Sequence, residues 1–364
     1  MNMVRGVYGM KKIGLMTFLH NEYYGSILQA WALQETLRGM GYDAQHIDYA
    51  PSKAEKIRNL LSSGNSPRLI LEGMRKRSAT GRMRGGFDEF RAEYIRSSAP
   101  CRNRAALRRQ ADAYDMLLCG SDQIWSPVWL NPAYFLVFTD KPKAAYAPSL
   151  GVQELPPKRK RRQIARLLKG YSAISVREAE GAALLKRMAG VEADVMPDPV
   201  LLPGREAWMQ LCAGAETPRE PYILTYFIGD SPAYWERVRD EAERLGCGVV
   251  VIPRTEGARS SGYPMAEDVP PQRWLALIAN AALLVTDSFH GAAFAAILNR
   301  NCAILRRYRE EDPESKNSRI DQLLRHLGLD SLESPDWEQV NARIADQAER
   351  GQKWLLDVIR QAAQ

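Results

Sequence analysis

The chain has 364 residues, 45% of them hydrophobic, and its 50 Lys and Arg against 43 Asp and Glu leave a formal charge of +7. That length exceeds what one hydrophobic core ordinarily serves, so two domains are expected, and the excess of cations favours acidic partners such as phosphorylated substrates, anionic lipid surfaces or nucleic acid. No stretch approaches the roughly 18 apolar residues of a membrane span, and the start carries no sustained apolar run or small-residue cleavage site, so a cytoplasmic protein is expected.

Apolar periodicity gives the elements in chain order. "KIGLMTF" (12–18) reads as a strand, and a helix opening at Gly25 puts Ile27, Ala30, Leu33, Leu37 and Met40 on one face before Gly41 stops it. "AQHIDY" (44–49) completes a β-α-β unit with a parallel sheet. Residues 51–110 are polar, basic and glycine-dotted, with helix in part. The sheet resumes with "YDMLLCG" (114–120), "KAAYAPS" (143–149), "AISVR" (173–177) and "ADVMPD" (193–198), while "EGAALLKRMAG" (180–190) is an amphipathic helix. "KRKRRQIARLLKGY" (158–171) sets Ile164, Leu167, Leu168 and Tyr171 at helical spacing among cations, and "RKRSATGRMR" (75–84) has no such pattern. Both are read as solvated surface in preference to dedicated binding patches.

"LLPGREAW" (201–208) carries the Pro-Gly punctuation of a linker. Beyond it, strands at 222–229, 247–253, 283–287 and 302–307 alternate with helices at 232–246, 270–282 and 291–300, and a helical tail fills 335–364. The fold class is α/β, with two tandem Rossmann-like domains facing a cleft: residues 1–203, and residues 204–364 with the tail. Cys101, Cys119, Cys212, Cys247 and Cys302 are scattered, odd in number and without a Cys-x-x-Cys pair, so neither a disulfide framework nor a zinc site is expected.

In open parallel sheets, ligands lie outside the carboxyl ends of the strands, where loops converge and helix N-termini aim their N–H groups inward. Most polar groups that interrupt apolar segments here fall in such loops: "FLHNEYYGS", "CGSDQIWSP", "APSLG", "SVRE", "PDPV", "TDSFHG" and "LRRYRE". His290 is read as lying directly before a helix that starts at Gly291, beside a positive helix terminus. An anion suits that place, and a histidine there can give or take a proton near it. A core histidine with both nitrogens satisfied is the rival reading.

The motifs "GLMTFLHNEYYGSILQAWALQETLRGMGYDAQHIDY", "DMLLCGSDQIWSP", "ISVRE", "VMPDPVLL" and "LVTDSFHGAAFAAILNR" occur in this order, and together the chain resembles the polysaccharide pyruvyl transferase family from Lys12 to about Leu329. The resemblance implies a GT-B-like fold and transfer of a pyruvyl group from phosphoenolpyruvate to sugar hydroxyls, commonly as a cyclic ketal, in cell-surface polysaccharide biosynthesis. It implies no cofactor and no metal, phosphoenolpyruvate being a donor substrate, and a glycan or lipid-linked saccharide as acceptor. The first domain becomes the acceptor side and the second the donor side.

Phosphoenolpyruvate carries a phosphate and a carboxylate, so its pocket needs cations and oriented N–H donors. Arg177, Arg306 and Arg307 are placed to supply guanidinium forks, with Ser288 and Lys316 as further donor-side candidates. His290 is the best-placed group to protonate C3 of the enol ether and to take a proton from the attacking hydroxyl. On the acceptor side stand Asn21, Tyr24, Gly25, Ser26 and Gln29, then Gly120, Ser121, Asp122 and Trp125. Asp122 is a candidate to orient a hydroxyl, and Trp125 either offers a face to a sugar ring or packs the core. Asp287 holds His290 or caps a helix, and Asp198, between two prolines, is read as a rigid-turn residue.

Ser126 stands where many members carry Asn, the first loop has Glu22 and a Tyr pair, and 66–86 has no counterpart in the pattern; the first two changes bear on acceptor identity. A nucleotide-sugar glycosyltransferase, with Glu310 or Glu311 holding a ribose, is the alternative, and a non-catalytic glycan- or nucleic-acid-binding protein comes third. No nucleic-acid module is recognisable, so no nucleic-acid partner is expected. Weak, salt-sensitive contact of 158–171 with an anionic membrane, at the inner face, is expected.

Overall fold

The computed structural model describes residues 11–63, 84–307 and 318–362. Strands β1 (Lys12–Met16), β2 (Asp43–His46), β3 (Met116–Cys119), β4 (Lys143–Ala145), β5 (Ala173–Val176) and β6 (Asp194–Val195) form one sheet in the order β2-β1-β3-β4-β5-β6. A second sheet, in the order β10-β9-β7-β8, is built from β7 (Tyr222–Tyr226), β8 (Gly248–Ile252), β9 (Leu283–Thr286) and β10 (Cys302–Ile304). Every pairing in both is parallel. The sequence explains this directly: "MLLC" of β3 and "LLVT" of β9 are buried at every position, as strands covered by helices on both faces must be.

Most strands stop one to three residues before the expected end, because the polar residues there leave the ladder to form loops. The helix expected from Gly291 begins at Phe289, capped by Ser288 Oγ, which accepts from Gly291 N–H at 3.2 Å, so His290 lies inside its first turn. The expected linker runs into a helix, Arg205–Leu211, whose Trp208 is fully buried. Helices Lys53–Ser63, Arg84–Tyr94 and Arg104–Ala111 occupy part of 51–110, and the basic stretch 75–83 lies outside the described residues. No helix among the described residues is long and apolar enough to cross a membrane.

The helix Tyr24–Gly39 shows a single apolar stripe in the sequence yet is buried nearly all round, as expected only of a helix enclosed by other elements. Leu33 and Leu37 pack on the first sheet with Ile13, Leu15 and Ala44. Tyr24, Ile27, Leu28 and Trp31 pack against the second domain. There Tyr24 stacks on Trp274 with centroids 4.7 Å apart, and Trp208 lies between Trp31 and Phe294 at 4.7 and 4.8 Å. The tail helix, Trp337–Gln361, serves both bodies. Val340 and Ile344 join the core under the second sheet, whereas Trp354, Leu355, Val358 and Ile359 cover the first.

His46, at the end of β2, is fully buried, with Nε2 3.0 Å from the Ala30 carbonyl. Burial lowers its pKa to about 4, against a smaller opposing effect of the Ala30 contact. The unfolded chain therefore takes up this proton below about pH 6.5 and the folded chain only near pH 4. Stability should fall as pH drops through that window, by about 1.4 kcal/mol per pH unit from this group. Urea unfolding of wild type and His46→Gln between pH 7 and 4.5 checks it: the variant should lose this component of the slope, and parallel curves would contradict the assignment.

Candidate active site

Each sheet has one place where the chain order reverses. In the first it lies between β1 and β3, and in the second between β7 and β9. Loops leaving such a pair diverge and open a crevice at the strands' carboxyl ends. The two crevices meet. Gly25, in the first turn of the helix after β1, abuts His290, in the first turn of the helix after β9. A Cβ on residue 25 would lie 2.0 Å from His290 Nδ1 and 2.1 Å from its Cγ, so only glycine leaves room for the ring.

Across from Gly25, His290 Nε2 faces Asp198 Oδ2 at 3.5 Å, too long for a good hydrogen bond and close enough for strong electrostatic contact. The same oxygen accepts from Arg177 Nη1 at 2.5 Å, and Oδ1 accepts from Val200 N–H at 3.1 Å. Burial opposes ionisation of Asp198, but His290 and the Arg177 guanidinium more than offset it and hold the carboxyl well below its usual range. Burial likewise works against the charge on Arg177, and Glu178 and Asp198 overcome it to raise its pKa. Arg177 Nε donates to Glu178 Oε1 at 3.0 Å, and the guanidinium lies over the Phe289 ring, 4.7 Å from its centroid. Only Nη2 remains, buried and without a hydrogen-bond partner. A bidentate grip on a donor anion is therefore not available to Arg177, since carboxylates already occupy the rest of its fork.

Asp287 is fully committed. It accepts from the N–H groups of Ile228 and Gly229, both at 2.7 Å, and from Arg307 Nε at 3.0 Å, tying the loop after β7 to the end of β10. Arg306 turns outward to Asp321 at 2.8 Å. Arg319 takes a place that sequence reasoning left empty. It lies within electrostatic reach of Arg177, Glu178, Arg307 and Asp122, and its Nε is buried without a hydrogen-bond partner. Burial first, and then the charge of Arg177, lower its pKa to about 10.

The first-domain loops form a separate chain of contacts. Asn21 Nδ2 donates to Ser26 Oγ at 2.9 Å, and Ser26 Oγ to Asp122 Oδ2 at 2.6 Å, while Asn21 Oδ1 is buried without a partner. Asp122 also lies within electrostatic reach of Arg177, which joins this chain to the histidine cluster.

Other sequence candidates turn inward. Gln29 donates to Thr17 Oγ1 and Ser26 O and accepts from Ser121 N–H, so its amide stitches two loops and faces no ligand. Gly120 N–H goes to Met16 O, and a Cβ there would lie 1.9 Å from Tyr146 O; with Ser121 N–H also taken, neither backbone donor is open to a substrate. Tyr24 is buried in the domain seam, its hydroxyl donating to Val269 O at 2.8 Å. Trp125 is a core residue, stacked on Phe135 with centroids 5.0 Å apart, and offers no face to a sugar. Ser126, the departure beside it, is likewise buried.

The structure thus brings together His290, Arg177, Gly25, Ser26, Asn21 and Asp122, and adds Asp198, Glu178 and Arg319. Lys316, Glu310 and Glu311 lie outside the described residues. Asp198 does set a turn, as its Pro-flanked position suggests, but its second oxygen faces the histidine. An acid kept at a strand end between two prolines was the signal available for it. No group of three or more His, Cys, Asp or Glu among the described residues is placed to hold a metal ion.

Two parallel sheets whose strand-end loops share one cleft, with a tail helix spanning both, define a GT-B-like protein. Solved structures agree. UDP-GlcNAc 2-epimerase from Neisseria meningitidis, bound to UDP-GlcNAc, matches with TM-score 0.52 and 10% identity over 97% of this chain and 100% of that one. The Staphylococcus aureus MnaA–UDP structure matches with TM-score 0.51 and 11% identity over 96% of each chain. At such identities the likeness is one of fold alone. No curated protein sequence matches the chain. The polysaccharide pyruvyl transferase family profile matches residues 24–307, and the chain belongs to that family of transferases.

Gly25→Ala tests the geometry of the site. Because the new methyl would overlap the imidazole, His290 should swing away from Asp198 while the fold persists, and a crystal structure of the variant reads this directly. An unmoved ring would mean that the helix backbone yields instead.

Proposed function

We propose that this transferase takes phosphoenolpyruvate as donor and transfers its pyruvyl group to sugar hydroxyls as a ketal, with His290 handling the protons. The observation that carries the reading is a pair of buried guanidinium nitrogens without hydrogen-bond partners beside the histidine cluster: Arg177 Nη2 and Arg319 Nε. Leaving such donors unpaired costs about 1–3 kcal/mol each, and a small anion carrying both phosphate and carboxylate removes that cost. The orphaned Asn21 Oδ1, whose amide is joined through Ser26 to Asp122, is the acceptor oxygen assigned here to a sugar hydroxyl.

In this reading His290 protonates C3, C2 becomes electrophilic, and a sugar hydroxyl adds there as it gives up its proton. Phosphate then leaves toward the arginines and the N-terminus of helix Phe289–Ile297. A second hydroxyl then adds at C2, its proton passing to the departing phosphate, and closes the ketal. Asp198, 3.5 Å from Nε2, holds the imidazole in place. Phosphoenolpyruvate is a cytoplasmic metabolite, which sets the proposed site of action. No observation among the described residues favours a nucleotide-sugar donor.

Phosphate release from phosphoenolpyruvate in the presence of saccharide acceptors tests this. His290→Gln should cut turnover by roughly a hundredfold or more while donor binding stays within a few-fold of wild type. Arg319→Gln should weaken donor binding by about tenfold or more, as loss of a hydrogen bond to a charged group does. Unchanged turnover in the first variant, or a nucleotide sugar stabilising the protein where phosphoenolpyruvate does not, would overturn the reading.

A further inference from the structure

Two stretches are rich in cations and free of acids, 75–84 and 158–169, and only the second lies wholly among the described residues. Residues 158–169 hold seven Lys and Arg and no Asp or Glu. This segment forms the helix Lys158–Leu167 and the turn after it. Ile164 and Leu168 are buried in the first domain's core, which fixes the helix with most of its cations outward. Lys158, Arg159, Arg162, Arg166 and Lys169 are all exposed, and none forms an ion pair among the described residues.

A second feature lies beside this row. Lys160 Nζ donates to the carbonyl of Pro127, in the turn closed by Trp129 N–H on Ser126 O at 3.2 Å. That turn presents Trp129, half exposed, whereas most other tryptophans of the described chain are buried. The loop carrying it begins at Asp122 in the cleft, so patch and cleft share one segment.

We propose that this face, the basic helix together with Trp129, docks the protein on an anionic lipid surface. A straight helix that exposes cations and no acids matches a plane of negative headgroups, where each Lys or Arg adds to binding and salt screens the effect. An indole standing out from the same face suits the bilayer interface, which accepts an apolar ring with a polar N–H. The inference goes beyond the proposed reaction and stands or falls without it.

Sedimentation of the full chain with phosphatidylcholine vesicles, with and without phosphatidylglycerol, decides the matter. The protein should pellet only with anionic vesicles and be released as salt rises. Replacing Arg159, Arg162 and Arg166 together by Gln should weaken partitioning by about a hundredfold at an unchanged unfolding midpoint, the three sites being exposed. Trp129→Ala should weaken it several-fold at any salt, a loss that screening cannot mimic. Pelleting of the triple variant like wild type, equal pelleting with neutral vesicles, or none with anionic ones at low salt would overturn the proposal. So would tight binding to duplex DNA that Trp129→Ala leaves untouched, which would assign the helix to nucleic acid.

Discussion

A carboxylate taken wholly out of water costs several kcal/mol unless cations and donors meet it, and Asp198 is met from both domains. Arg177 reaches it from the end of β5 and His290 from the helix after β9, so the charge is balanced only while the two bodies hold their present relation. The other features of the cleft follow from this. Arg177 is steadied by Glu178 and by the face of Phe289, one residue before the histidine, and a single guanidinium nitrogen is left over for a ligand. A buried charge cluster shared by two domains is also a specificity device, since a slipped interface leaves unpaired ions behind.

The apolar seam makes that relation durable. Tyr24 and Trp31 commit the first helix of one domain to Trp274, Trp208 and Phe294 of the other. That helix also brings Gly25 against His290, so one element closes the seam and shapes the site. The absence of a side chain at residue 25 is therefore a requirement of the imidazole, not of helix formation, which alanine would favour. The tail helix adds a second tie: Trp354 Nε1 donates to Asp194 Oδ2 at 2.7 Å, four residues before Asp198.

Much of this was legible in the sequence. Apolar runs ending in polar loops gave the alternation of strands and helices, and the loops at strand ends did converge, because parallel sheets leave their carboxyl ends no other use. His290, Arg177, Ser26 and Asp122 could be named from that rule. What escaped depends on contacts between distant segments. Tyr24 opens the helix after β1 and Trp125 lies in the loop after β3, both beside the cleft, and only three-dimensional packing shows that both rings turn into apolar cores. Asp198 was hidden by its own prolines, whose turn signal explains the residue completely until His290 is seen opposite. Arg319 belongs to no motif; it enters the cluster because the helix Ser318–Leu327 packs beside the cleft.

The proposed reaction adds a proton to C3 of phosphoenolpyruvate and joins C2 to two sugar oxygens. Running the reaction in heavy water reads this at the atom concerned. The account predicts one solvent deuterium in the methyl group of each ketal formed, seen by mass spectrometry and NMR, with one phosphate released per product. A product that retains the CH2 group as an enol ether, or a methyl group with no deuterium, would contradict it.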